Sequence, residues 1–345
     1  RQDDMYKIYW EDTKMEFSAT AGTAGGSLKA LFEVRDGDNL ENFKGKVTKA
    51  DSYSLTVENI SIDNIKSLNL PDKDGKITVN NISYSYDSWE AQVDAQGNIK
   101  SVTFNLSKDK AIADPEKTVA EGYLLNAGSA INARGIPYYM TQLNEFVRNF
   151  SEMFNQIESK GQNLNGDTPP TFFEAITNTA KVYDFSESEA YSKLPDGQTA
   201  TINSSSNTYY RMTAANFSVN KDVMNDVSLF ATSTDYVKTD SCDIVDELKK
   251  LQSEKTVYRG DKAESFLETI ISNVSVDTEK AETYNKLYSN LEQTIANQRT
   301  SVSGVDEDEE ALNLVKFQYS YNMASKIISV MNQMLDKLIN DTGVA

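Results

Sequence analysis

Apolar residues recur with a helical period through the last third of the chain. From about Asp308 to Asn340, Leu314, Phe317, Tyr321, Ala324, Ile328, Met331, Leu335 and Leu338 follow one another at alternating spacings of three and four, an unbroken heptad seam. Asp306 to Glu310 place negative charge at the positive pole of this helix, and Lys337 lies in its last turns. A second seam, over 263–300, carries Leu267, Ile270, Val274, Ala281, Tyr284, Tyr288, Leu291 and Ile295. Asp277 occupies its missing position, which predicts a break or kink there, and Ser301 to Val305 predicts an interruption between the two helices. A third seam, over 136–159, runs through Ile136, Tyr139, Leu143, Phe146, Phe150, Met153 and Ile157; Pro137 sits at the first helical position and Lys160-Gly161 closes it.

Elsewhere the period drops to two. Met5 to Trp10 and Lys14 to Phe17 read as short strands, followed by a flexible turn at Ala21 to Gly26 and a short helix, Leu28 to Arg35, capped by Ser27 and ended at Asp36-Gly37. Residues 41 to about 128 read as all-β: Tyr53 to Val57, Lys76 to Val79, Ser83 to Tyr86 and Ile99 to Phe104 are strand-like, with hairpin turns at Asp74-Gly75 and at Gln96-Gly97-Asn98. Short strands at this spacing predict a small barrel or sandwich. Residues 161–260 are turn-rich, broken at Asn165 to Pro170, at Leu194 to Gly197 and at Ser204 to Asn207.

The expected fold class is α+β and multidomain. Residues 1–40 join strands and a short helix to a helical core, and 41–132 form an inserted β-rich outer domain. Residues 133–160 are a long core helix, 161–260 a second β-rich or α+β outer domain, 261–300 a further core helix and 301–345 a C-terminal helix.

Composition narrows the chemistry. With 52 Asp and Glu against 34 Lys and Arg, the net charge of −18 makes nucleic acid and membrane surfaces poor partners. There is no histidine, which removes the triad base, the commonest metal ligand and the usual general base near neutral pH. The single Cys242 has no intrachain disulfide partner, and nearby acids oppose a reactive thiolate. Arg1 to Asp4 is followed by no apolar h-region, and no stretch reaches the roughly 18 apolar residues of a spanning helix. The chain is expected to be an internal fragment or a trimmed product.

Candidate sites reduce to structure when weighed. Asp72 to Gly75 hints at a calcium loop, but Ser83 stands where a closing acid is needed, so a hairpin turn is the simpler account. Ser27 lacks the G-x-S-x-G setting of a nucleophile elbow. Tyr84, Tyr86 and Trp89 suit either a carbohydrate-binding surface or a β core, and the core is favoured. Nothing selects a carboxylate pair for hydrolysis. No catalytic residue, cofactor or metal site is expected.

The seams, by contrast, demand cover, because each buried Leu, Ile or Phe contributes roughly 1.5–3 kcal/mol over exposure. The C-terminal helix either folds back on 263–300 or pairs with a helix from elsewhere. Its place at the end of the chain, beyond two β-rich regions, favours an assembly module.

Three blocks carry a resemblance in the same order. Ser301 to Val305, Asp308 to Glu310, Leu314, Phe317-Gln318, Tyr321, Ala324, Ile328 and Met334 to Ile339 resemble the C-terminal signature of the bacterial flagellar hook-associated protein 1 family, with Asp306 where Asn is usual. Gly25 to Asp36 is similar to the family's glycine-leucine segment, and Gly135 to Met140 with Leu143 to Glu145 to the helix that follows it. The resemblance implies an axial bundle of coiled-coil-like helices with two inserted outer domains, exported to the flagellum outside the cell without a cleaved signal peptide. It implies hook protein and the second hook–filament junction protein as partners, self-association in a ring or helical array, and an export chaperone at the C-terminal helix. The assembly interface would be Leu314, Phe317, Tyr321, Ala324, Ile328, Met331, Leu335 and Leu338. Two alternatives stay open: another axial component, such as flagellin or the second junction protein, or an extracellular glycan-binding or hydrolytic module.

Overall fold

The computed structural model describes residues 11–12, 21–22, 24–72, 75–80, 82–107, 112, 115, 119, 121–177, 179–237, 241–253 and 256–341. The strands expected at Met5 to Trp10 and Lys14 to Phe17, together with Lys73 and Asp74, lie outside them. In chain order the elements are α1 (Ser27–Asp36), β1 (Phe43–Asp51), β2 (Ser54–Glu58), β3 (Gly75–Val79), β4 (Ile82–Val93), β5 (Ile99–Leu106), β6 (Leu124–Ala127), α2 (Ile136–Glu158), β7 (Phe173–Ala175) and α3 (Ser186–Ser192). Then follow β8 (Ala200–Asn203), β9 (Phe217–Val219), α4 (Lys221–Asn225), α5 (Asp243–Ser253), β10 (Thr256–Tyr258), β11 (Asp261–Lys262), α6 (Ala263–Ser303) and α7 (Glu307–Asn340). Two compact units divide the chain, Arg1–Ile271 and Ser272–Ala345, and α6 begins in the first and continues into the second.

The β-rich stretch of the first unit is a barrel. Its strands run β3-β6-β1-β2-β5-β4, and a β3–β4 pairing closes the ring, every neighbour antiparallel. Closure leaves those six strands without a free ladder edge along most of their length. Phe43, Leu55, Ile77, Tyr86, Trp89 and Phe104 fill the interior, so the tyrosines and tryptophan of β4 are core and not a ligand platform. Their rings meet edge-on or tilted, Phe43 on Phe104 at 5.4 Å and Tyr86 on Phe104 at 5.1 Å, as the ring quadrupoles prefer.

β4 changes phase midway. Tyr84 and Tyr86 point inward, then Trp89, Ala91 and Val93 do. Opposite Leu106 and Asn105 of β5 stand Tyr86 and Ser88, so Asp87 is one extra residue, a bulge that moves the inward set from even to odd numbers. Gly75 also departs from expectation. It opens β3 and is no part of a hairpin turn, and a Cβ there would lie 2.2 Å from the ring of Tyr86 across the ladder. Asn80, at φ 49°, begins the reversal between β3 and β4. Ser27 is the first residue of α1, not its cap; Gly26 holds the cap position and no side chain caps the helix.

Two separate outer domains are not confirmed. The segment after α2 adds β8 to β4 of the barrel sheet, and Ile202, Tyr191 and Tyr210 belong to the barrel's own core. Tyr210 meets Trp89 edge-on at 5.0 Å. The remaining short elements make a β7–β9 ladder and two small clusters, around Phe185, Tyr209 and Met212 and around Ile157, Ile244 and Leu251.

α2 spans the expected residues with Pro137 in its first turn. Its seam residues Tyr139, Leu143, Phe146 and Phe150 pack on Ala263, Phe266 and Ile270 at the start of α6. The opposite side is polar and more deeply buried. The irregular segments at 64–72 and 209–216 bring backbone groups against it that need partners, and side chains of α2 supply them. Arg148 donates from Nε to the carbonyl of Met212 at 2.8 Å and from one terminal nitrogen to those of Lys66 at 2.9 Å and Leu68 at 2.6 Å. Burial lowers its guanidinium to about 10, against the opposing fields of Tyr210, Glu145 and Asp72. Asn155 brackets Phe173, accepting from its amide and donating to its carbonyl, both at 2.9 Å.

The second unit is helical where described. α6 passes through Asp277 without a break, so the expected kink is absent; aspartate costs a helix well under 1 kcal/mol and is only partly buried here. The interruption falls at Gly304 to Asp306, and α7 follows.

Candidate assembly surface

α7 is built to start cleanly. The Asp306 carboxylate accepts the amides of Asp308 at 3.0 Å and Glu309 at 3.3 Å, and Glu307 to Glu310 set four negative charges on the first turn. Both features satisfy the positive end of the helix. Beyond that turn its chemistry changes, and from Leu314 onward charged residues are few.

The seam residues lie on one side of α7, and none is buried. Leu314, Phe317, Tyr321, Ile328, Met331, Leu335 and Leu338 are 50% to 75% exposed, and Ala324 is exposed with them. The helix thus brings them into one continuous stripe, exposed along its length. The same holds for the distal half of the α6 seam, where Tyr284, Tyr288, Leu291 and Ile295 are exposed. At the α6 root the inward residues are Ala263, Phe266 and Ile270, so Phe266, absent from the expected seam, takes the place given to Leu267.

A second apolar row went unread in the sequence. Leu312, Tyr319, Met323, Val330 and Met334 succeed one another at spacings of seven and four, so they share a face, and all are exposed. Met323, Ile327, Val330, Met331 and Met334 line a shallow apolar groove of about 350 Å³ beside Lys326. The polar side runs through Gln318, Asn322, Ser325, Ser329, Asn332, Gln333 and Asp336. A surface helix shows one apolar stripe; a helix apolar around most of its circumference is one that becomes buried on more than one side. Counting offsets of three and four from Leu312 as well as from Leu314 is the signal that reveals it.

Elsewhere, among the described residues, no group of three or more Cys, Asp or Glu side chains is placed to hold a metal ion. Cys242 is exposed. Among the described residues no helix is long and apolar enough to cross a membrane.

Comparison with known sequences falls on the same segment. Residues 296–341 match the family described as flagellar basal body rod FlgEFG protein, C-terminal. Over 341 residues, 96% of the chain, the sequence is 21% identical to flagellar hook-associated protein 1 of Bacillus subtilis (strain 168). The chain spans 56% of the length of that relative.

Proposed function

We propose that this chain, a homologue of flagellar hook-associated protein 1 with a rod-and-hook-type C-terminal segment, is a structural component that joins hook to filament. In this reading it has no catalytic step. Its work is association: α7, and the distal turns of α6, bury their apolar rows against helices of neighbouring subunits in a ring or helical array. Hook protein and the second junction protein are the neighbours on either side, and an export chaperone covers α7 before assembly. Export to the flagellum, outside the cell, proceeds without a cleaved signal peptide.

One observation carries the reading. The segment that matches the family, 296–341, is the segment whose apolar side chains stand uncovered. At roughly 1.5–3 kcal/mol per large side chain, covering even half of the seam outweighs the 1–2 kcal/mol by which typical single changes alter stability. Tyr321→Asp with Ile328→Asp, placed in the full-length protein, tests it. Loss of filament attachment with the chain still exported supports the role of the seam; normal attachment refutes it. A second reading, another axial component of the rod or hook, draws on the family name that the C-terminal segment matches. Cross-linking from α7 to identified neighbours distinguishes the two.

A further inference from the structure

The root of α6 is preceded by a two-residue β-hairpin whose tip is Arg259-Gly260, both in left-handed backbone conformations at φ 50° and 88°. A turn of this kind favours Asn-Gly or Asp-Gly. Arginine there carries backbone strain, because its Cβ crowds the following carbonyl oxygen. Strain of that kind persists where the side chain is held by something else.

What holds it is a pair of carboxylates from distant parts of the chain. Arg259 donates from Nε at 3.2 Å and a terminal nitrogen at 3.1 Å to Oε2 of Glu145 on α2. Its terminal nitrogens also reach both oxygens of Glu41, just ahead of β1, at 3.3 to 3.4 Å. The Glu145 carboxylate is only 5% exposed, so it sits where an unpaired charge is expensive, while Glu41 and Arg259 remain partly wet. Four residues after Arg259, α6 begins to pack: Ala263, Phe266 and Ile270 lie on Tyr139, Leu143, Phe146 and Phe150 of the same α2.

We propose that Arg259 is a positioning residue, a latch that ties the hairpin, and through it the first turns of α6, to α2 and to the start of the barrel. The proposal goes beyond the assembly reading and does not need it, because the test is read within the first unit alone. In that reading the latch matters because α6 is the covalent link from the barrel unit toward the segment that associates.

The test uses a substitution for which the two accounts predict opposite signs. If Arg259 serves only the turn, Arg259→Asn relieves strain, and amide exchange over residues 263–271 stays the same or slows. If Arg259 is a latch, Arg259→Asn speeds exchange over 263–271 by at least about tenfold and leaves strands β2 and β5 as protected as before. Glu145→Gln speeds the same amides, and the double variant exchanges no faster than the quicker single one, the signature of a shared interaction. Arg259→Lys, which keeps the charge and loses the fork, falls between wild type and Arg259→Asn, and it carries the test alone if Arg259→Asn does not fold. Unchanged or slower exchange at the root, or equal acceleration in root and barrel, overturns the proposal.

Discussion

Replacing Arg148 with methionine measures how much the first unit depends on a helix side chain serving loop backbone. Methionine keeps the stem and removes the guanidinium. Three bonds to carbonyls of Lys66, Leu68 and Met212 are lost, together with the position of the cation 4.6 Å from the ring centre of Tyr210. Bonds from a charged donor contribute about 1.5–3 kcal/mol each, and the ring contact about 1–2 kcal/mol. Against this, the substitution relieves the cost of burying the charge. Burial brings the guanidinium from 12.5 to about 10, which corresponds to about 3 kcal/mol. The three carbonyls recover part of their loss by hydration, so the lower end of the difference applies, a net destabilisation of about 3–5 kcal/mol. Urea unfolding followed by tryptophan fluorescence reads it, since Trp89 is fully buried against Tyr210, the residue that Arg148 covers. Arg148→Lys retains charge but not the fork and is expected to lose about half as much. A loss below about 1 kcal/mol for Arg148→Met would show that the bonds merely fill space between segments already fixed by the core.

Three further outcomes are expected. Glu158 ends α2 buried, both carboxylate oxygens lack a hydrogen bond of ordinary geometry among the described residues, and burial raises its pKa from 4.5 to about 7, with Ala231 opposing weakly. A raised folded-state value means its contribution is full below pH 4.5 and lost as pH rises through about 7. Glu158→Gln is therefore expected to stabilise the protein by about 2 kcal/mol at pH 8, with little change at pH 4, in paired urea titrations; equal effects at both pH values would count against it. Gly135→Ala places a Cβ 2.3 Å from the carbonyl oxygen of Glu33 and 2.7 Å from that of Val34, a clash with backbone expected to cost about 1–3 kcal/mol in thermal unfolding, while Gly25→Ala meets nothing within 4 Å and is expected to be neutral. The amides of 314–338 are expected to exchange with little protection in dilute chain and to become protected as concentration rises; full protection in a monomer would contradict an uncovered seam.

Much of this was legible from periodicity. α2, α6 and α7 fall within a few residues of where their heptads place them, because long apolar repeats leave few other solutions. The barrel strands were legible for the same reason, but their closure and the addition of β8 were not: ladder partners far apart in sequence, such as Gln92 and Thr201, leave no local mark. The expected kink at Asp277 came from reading one polar residue in a seam as a fault, although an exposed helix tolerates it. The buried polar face of α2 was invisible because Asn144, Arg148 and Asn155 resemble any solvated helix surface until the loops they serve are in place. For the candidate assembly surface, the stripe from Leu314 to Leu338 was readable as a heptad, whereas the row through Tyr319 and Val330 lies outside that heptad phase.

The Asp87 bulge also bears on how this barrel can change over evolutionary time. Losing that single codon would leave Tyr86, Ser88 and Trp89 in plain alternation opposite Leu106, Asn105 and Phe104, with the indole still inward and Glu90 and Gln92 still outward. Related barrels are therefore expected to differ there by this one residue without changing their core, the shorter ones carrying a straighter, less twisted β4.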